Sequence, residues 1–191
     1  MAVSGGIPYG LAKQYASSVQ APAQIETVVK LWHLASGCSF PLPFVPKRSY
    51  KDSGSGFGTP RPAIGPGIRH PACDLEAPVG TPVLAVDDGE IISGPDYFYL
   101  GSYSLTVRHR YFVVRYGEIK DEPVANRNVK RGDTIGHVGN VGQGFMLHFE
   151  MFAGTETGYL TVYNDPPWNR RKDLMNPTPF LDLWALGTKK Q

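Results

Sequence analysis

Two regimes of hydrophobic patterning divide the chain. Between residues 8 and 35, Leu11, Tyr15, Val19, Ile25, Val28, Val29, Leu31, Trp32 and Leu34 recur at helical spacings. Pro22 interrupts this stretch, which predicts a short helix, a break, and a second helix from about Ala23 to Ser36, stopped by Gly37. Residues 37–69 lose the periodicity and carry Pro41, Pro43, Pro46, Pro60, Pro62 and Pro66. The run from Ser53 to Gly58 reads as a mobile loop. From residue 70 onward the period becomes two. Thr81 to Val86 reads as a strand, Asp87-Asp88-Gly89 as a turn, and Glu90 to Ser93 as its hairpin partner. Ser104 to Arg108 and Tyr111 to Ile119 read as a second hairpin around His109 and Arg110. Asp133 to Val138 and Phe145 to Phe152 are two further strands. The tail from Asn164 to Asp182 is punctuated by prolines and basic at Arg170, Arg171 and Lys172. The pattern predicts a mainly β protein: a twisted antiparallel domain over about 40–185, with the N-terminal helices packed beside it.

Composition narrows the class. The 191 residues include 22 glycines and 17 prolines, about a fifth of the chain, which argues for short strands joined by turns and against a helical bundle. Hydrophobic residues at 41% and charged residues at 19% fit neither a disordered chain nor a membrane protein. A domain of this length buries about two thirds of its unfolded surface and needs no disulfides. Cys38 and Cys73 leave one bridge and two free thiols equally open. A net charge of +2 gives no basic stripe for nucleic acid. The uncharged run from Leu31 to Pro46 is too short to span a membrane and is broken by three prolines. Met1 to Ala12 holds no lysine or arginine and no apolar core, so no secretory signal is visible.

Candidate chemistry gathers in two places. On the strand around residue 148, Leu147, Phe149 and Met151 point towards a core, and Met146, His148 and Glu150 point the other way. His148 taken alone reads most simply as a buried histidine bonded by its neighbours. The second place is His70-Pro71-Ala72-Cys73-Asp74, where a histidine and a carboxylate four residues apart can reach one metal ion. Zinc accepts imidazole nitrogen and carboxylate oxygen at about 2.0–2.2 Å, and catalytic sites use three protein ligands with one position left open. His70, Asp74 and His148 would make such a set. A local salt bridge explains His70 and Asp74 equally well when that pair is taken alone.

The order of motifs adds a family. His70-x₃-Asp74 is followed by Ala77-Pro78-Val79-Gly80-Thr81-Pro82-Val83-x-Ala85 and Asp88-Gly89-Glu90-Ile91. Then come Gly132-Asp133-x-Ile135-Gly136-x-Val138-Gly139 and Leu147-His148-Phe149-Glu150. This series, over about residues 57–155, resembles the lysostaphin-type (LytM-like) zinc metallopeptidases of the duplicated-hybrid-motif fold. The resemblance implies a barrel-like antiparallel sandwich for the domain over 37–191, beside which the helical pattern leaves residues 1–36 as an extension. It implies one Zn²⁺ held by His70, Asp74 and His148, and hydrolysis of peptide bonds in bacterial peptidoglycan.

Two positions depart from the family pattern. The first histidine of the family's H-x-H is Met146 here, and the histidine of its Y-x-H-L segment is Glu118, within Tyr116-Gly117-Glu118-Ile119. Methionine is no base, whereas glutamate can be one. Glu118 is therefore the expected general base, and Tyr116, on the same face by period two, the expected oxyanion donor. The paired exchange of both histidines resembles a branch of the family with altered chemistry. The alternative is a catalytically inactive zinc-binding module that docks on peptidoglycan or on a partner protein. Tyr97, Tyr99 and Tyr103 are expected to wall a peptide groove, or else to pack beneath a loop. His109, His137 and His33 read as structural, and Cys73 as facing the core. The Arg170-Arg171-Lys172 cluster reads as a solvated face, or as one approaching the anionic wall or an acidic inhibitor protein. A cell-wall substrate without a visible signal suits a phage lysin or an effector injected by a type VI system. An injected effector would have a cognate immunity protein and act in the periplasm or cell wall.

Overall fold

The computed structural model describes residues 37–124, 127–142 and 144–191. The helices expected within 1–36, and His33 with them, lie outside the described residues. The described residues form strands β1 (Cys73–Glu76), β2 (Pro82–Leu84), β3 (Gly89–Tyr97), β4 (Tyr103–His109) and β5 (Phe112–Ile119). These are followed by β6 (Asn128–Val129), β7 (Thr134–His137), β8 (Met146–Ala153), β9 (Leu174–Met175) and helix α1 (Thr178–Ala185). Seven strands make one antiparallel sheet in the order β1-β8-β5-β4-β3-β6, with β9 beside β8. β2 and β7 form a separate two-stranded ribbon.

The alternation of side chains decides what each face of the sheet covers. Leu75, Leu105, Val107, Phe112, Val114, Leu147, Phe149 and Met151 point to one side and enter a single core. Val83 and Ile135 of the ribbon close over the same core, so the small sheet is a lid on the large one. Each large apolar side chain buried there contributes about 1.5–3 kcal/mol. The opposite face is polar over most of its width. At one end it carries a small apolar cluster of Val113, Phe152, Leu160 and Leu174.

Several expectations are corrected. Thr81 to Val86 does not form a hairpin with Glu90 to Ser93: Pro82–Leu84 pairs with Thr134–His137, and Gly89 and Glu90 pair with His109 and Arg108. Asp87-Asp88-Gly89 is a corner between two sheets, and there the Asp88 carboxylate accepts hydrogen bonds from the Arg131 N–H and Lys130 Nζ. The Ser53–Gly58 run, expected to be mobile, is anchored: the Asp74 N–H donates to the Ser55 carbonyl at 2.9 Å and the Gly58 N–H to that of His70 at 2.8 Å. The tail contains helix α1, whose Phe180, Leu181 and Trp184 are buried; Trp184 packs on Phe112 and Phe149. Cys38 and Cys73 are free thiols, and burial pushes Cys73 up to about 11.

Tyr116 is fully buried in the core rather than in a groove. Its hydroxyl accepts from the Val86 N–H at 3.1 Å and donates to His109 Nε2 at 3.1 Å. His109 Nδ1 in turn donates to the Asp88 carbonyl at 3.2 Å, which fixes a neutral tautomer. Burial pulls His109 down to about 4, consistent with that state. The chain of bonds ties the inter-sheet corner to the end of β4. Tyr116→Phe is expected to destabilise the protein by about 1–3 kcal/mol, because it leaves buried polar partners unsatisfied. Urea denaturation checks this, and an unchanged midpoint would contradict the structural role.

Candidate metal centre

The register of three strands assembles the site. Asp74 on β1 lies opposite His148 on β8, and His148 lies opposite Gly117 on β5. Opposed residues share a face, so both side chains project on the polar side of the sheet. One step along, Glu150 on β8 opposes Arg115 on β5. His70 arrives from the segment before β1, where its N–H donates to the Thr59 carbonyl at 2.8 Å. Glycine is required at 117, because a Cβ there would sit 2.8 Å from the Phe98 ring that covers His148.

Three donor atoms converge. His148 Nδ1 is 2.9 Å from Asp74 Oδ1, His70 Nε2 is 3.2 Å from the same oxygen, and the two nitrogens are 3.4 Å apart. The remaining ring nitrogens are committed elsewhere. His70 Nδ1 donates to the Gly56 carbonyl at 3.2 Å, and His148 Nε2 donates to Glu150 Oε1 at 2.9 Å. Both inward nitrogens are thereby set up as lone-pair donors, the arrangement metal-ligating histidines adopt. These three residues form a group that can hold a metal ion. Two imidazole nitrogens, one carboxylate oxygen and a position left open match the chemistry of a catalytic zinc site.

The charges around the trio are balanced locally. Burial opposes ionisation of Asp74, but hydrogen bonds from His148 and His70 outweigh it and hold the carboxyl well below the usual range. Burial likewise opposes protonation of His148, yet Asp74 and Glu150 raise it to about 9 in the metal-free protein. Burial lowers His70. Glu150 is fully buried, and Arg115 and Arg170 overcome its burial to hold it well below the ordinary carboxylate range.

Comparison with known proteins matches these same residues. Residues 68–160 match the model of peptidase family M23. The chain carries an M23 peptidase domain. It is 32% identical over 87 residues to the peptidoglycan DD-endopeptidase ShyA of Vibrio cholerae, covering 44% of this chain and 20% of that protein. An uncharacterized metalloprotease of Buchnera aphidicola is 33% identical over 87 residues, 44% of this chain and 23% of that one. The chain spans about a fifth to a quarter of the length of these curated relatives. The fold is similar to that of the antimicrobial peptidase lysostaphin from Staphylococcus simulans, with a TM-score of 0.53 and 23% identity over 73% of this chain and 53% of that one.

The trio lies in an open groove of about 1280 Å³, lined also by Glu118, Tyr97, Tyr99, Tyr159, Tyr163 and Arg61. Tyr97 and Tyr99 line this groove, whereas Tyr103 packs edge-on against Tyr97 and is not among the lining residues. Glu118 reaches the groove through a break in the alternation. Its φ is +60°, and the β4–β5 register shifts between Tyr103 and Ser104, so Tyr116 faces the core while Glu118 faces the trio. The Gly139 N–H holds the Glu118 carbonyl at 2.8 Å. A side chain at 139 would meet that carbonyl at 2.9 Å, so glycine is needed here too. Cys73 faces the core as expected, and His137 pairs with Glu122 rather than with the trio. Phe98 lines the groove within the aromatic run Tyr97-Phe98-Tyr99, and Arg61 and Arg170 belong to the site without having been expected there. Arg170 had been marked only as part of a basic cluster, read as a solvated face or as one approaching the anionic wall or an acidic inhibitor protein.

Glu118 is the chemically unusual member. It is 7% exposed, and its Oε2 is buried without a hydrogen-bond partner. Burial raises its pKa from 4.5 to about 7, with His148 and Asp74 acting on it in opposite directions. Between those two values the folded protein retains a proton that the unfolded chain has released, so stability falls as pH rises through this window. For the metal-free protein, Glu118→Gln is expected to be neutral near pH 4.5 and stabilising by about 3 kcal/mol above pH 7. Urea melts at pH 4.5 and 8 measure the difference; a gap that does not change with pH would contradict the assignment.

Proposed function

We propose that this chain is a zinc-dependent peptidoglycan endopeptidase that hydrolyses stem-peptide or cross-bridge bonds, with Glu118 as general base. The observation that carries this reading is the buried, unpartnered Oε2 of Glu118 in the groove that holds the His70, Asp74 and His148 trio. An isolated buried carboxylate is costly, and such perturbed groups cluster where proton transfer is needed. Likeness to a peptidoglycan DD-endopeptidase supports the substrate class.

His70, Asp74 and His148 would hold the ion. When bound, zinc polarises the scissile carbonyl and acidifies water. Glu118 Oε2 accepts the proton of the attacking water, and the same carboxyl returns it to the departing amine nitrogen as the C–N bond breaks. In the metal-free protein burial already brings Glu118 up to about 7, so its carboxyl can both accept and return a proton near neutral pH. Phe98 and Gly117 shield one side of His148, and Tyr97 and Tyr99 stand along the groove to receive the peptide. Tyr116 takes no part, because its hydroxyl is committed to Val86 and His109.

The finer reading takes the enzyme to the wall as a phage lysin or as an injected type VI effector, the latter with an immunity protein seated over the groove. Its support is the rim of Tyr97, Tyr159 and Tyr163, which are 70%, 94% and 84% exposed, a composition that protein partners favour. The test is a digest of cross-linked peptidoglycan read by mass spectrometry of the released muropeptides. Zinc-loaded protein is expected to yield cross-link-cleaved products. Chelation is expected to abolish them, and Glu118→Gln to slow them about 10²–10⁴-fold at unchanged zinc content. No product from a preparation carrying one zinc per chain would leave the non-catalytic binding module instead. Lysis of a Gram-negative host only when the chain is exported to the periplasm, relieved by a co-produced partner, is expected of an injected effector. Equal lysis from the cytoplasm would contradict it.

A further inference from the structure

The M23 match ends at residue 160 and begins at residue 68, yet two side chains from beyond those limits reach the metal centre. Arg61 Nη2 lies 3.4 Å from Asp74 Oδ2. Its guanidinium is itself fixed: Nη2 donates to the Gly54 carbonyl at 2.6 Å and Nη1 to Thr59 Oγ1 at 3.1 Å. Arg61 therefore occupies one oxygen of Asp74 and leaves Oδ1 to face the two histidine nitrogens. On the other side, Arg170 Nε and Nη2 both contact Glu150 Oε1, at 3.0 and 2.9 Å. Arg115 grips the second oxygen, with Nε and Nη2 at 3.0 and 2.6 Å from Oε2. Glu150 is thus clamped from both sides while Oε1 still accepts the His148 Nε2–H. Arg170 is held in place by the Thr161–Arg170 bridge and by a bond from Nη1 to the Asn169 carbonyl at 3.0 Å.

We propose that Arg61 and Arg170 are positioning residues for the metal ligands, so that the working metal centre is completed by the segments flanking the M23 match. Arg61 fixes the Asp74 carboxylate, and Arg170, through Glu150, fixes the ring orientation and tautomer of His148. Neither touches the donor atoms that would meet the ion. At Glu150 the guanidinium forks matter, because Arg115 and Arg170 each present two coplanar nitrogens and together restrict rotation of its carboxylate, whereas Asp74 meets Arg61 through Nη2 alone. Partners of metal ligands at this remove typically set affinity by about 10–100-fold. This inference rests on the metal-binding reading of His70, Asp74 and His148.

The experiment uses the full chain, stripped of metal. Zinc affinity is measured by competition with a chromophoric chelator, geometry by the visible absorption of the cobalt-substituted protein, and folding by thermal melts without metal. Arg61→Gln and Arg170→Gln are each expected to weaken zinc binding about tenfold or more and to alter the cobalt bands. Arg170→Lys, which keeps the charge and loses the fork, is expected to recover part of the affinity. It also carries the test should Arg170→Gln fail to fold. Affinities within twofold of the parent with an unchanged cobalt spectrum would overturn the inference while leaving the metal centre standing. A parent protein that takes up no zinc would overturn both.

Discussion

The pairing of β1 with β8 and of β8 with β5 is the constraint on which everything else depends. It sets Asp74, His148 and Gly117 in one row and Glu150 opposite Arg115 in the next. A slip of one residue would turn His148 into the core and Leu147 or Phe149 into the groove. The register is protected because the alternate side chains of the same strands, Leu75, Leu147, Phe149 and Tyr116, fill the core. Packing energy on one face thus holds a costly set of polar groups on the other.

That polar face carries its cost unevenly. Glu150 is surrounded by Arg115, Arg170 and His148, and Asp74 by Arg61, His70 and His148, so these buried charges are compensated. Glu118 is not. It sits at positive φ, buried, with one oxygen unpartnered. Strain and desolvation coincide on this residue, as they do where a fold trades stability for chemistry. Gly139 and the Ile119–Val138 bridge hold its backbone in place.

Much of this site was legible in the sequence, for a physical reason. Period-two alternation placed His148 and Glu150 on the face opposite Leu147 and Phe149, and the four-residue spacing of His70 and Asp74 suggested a shared metal ion. The same rule failed at Tyr116 because alternation does not survive a bulge, and nothing local marks Glu118 as having positive φ. The pairing of Pro82–Leu84 with Thr134–His137 was hidden because short apolar runs do not name their partners. The turn-like Asp87-Asp88-Gly89 favoured the nearer strand. Arg61 and Arg170 were invisible for a related reason: an arginine in a loop looks solvated until the fold supplies its carboxylate. Helix α1 was masked by Pro177 and Pro179, which read as breaks although proline suits the first turn of a helix.

The proposed centre holds one ion between two strands and the loop before them, with Glu118 facing it across the groove. Anomalous diffraction at the zinc edge from crystals of the zinc-loaded chain tests this directly. The predicted result is a single anomalous peak bonded to His70 Nε2, Asp74 Oδ1 and His148 Nδ1, with the Glu118 carboxylate in the same groove. A peak at another site, such as His137 with Glu122, and none among the three residues would contradict it.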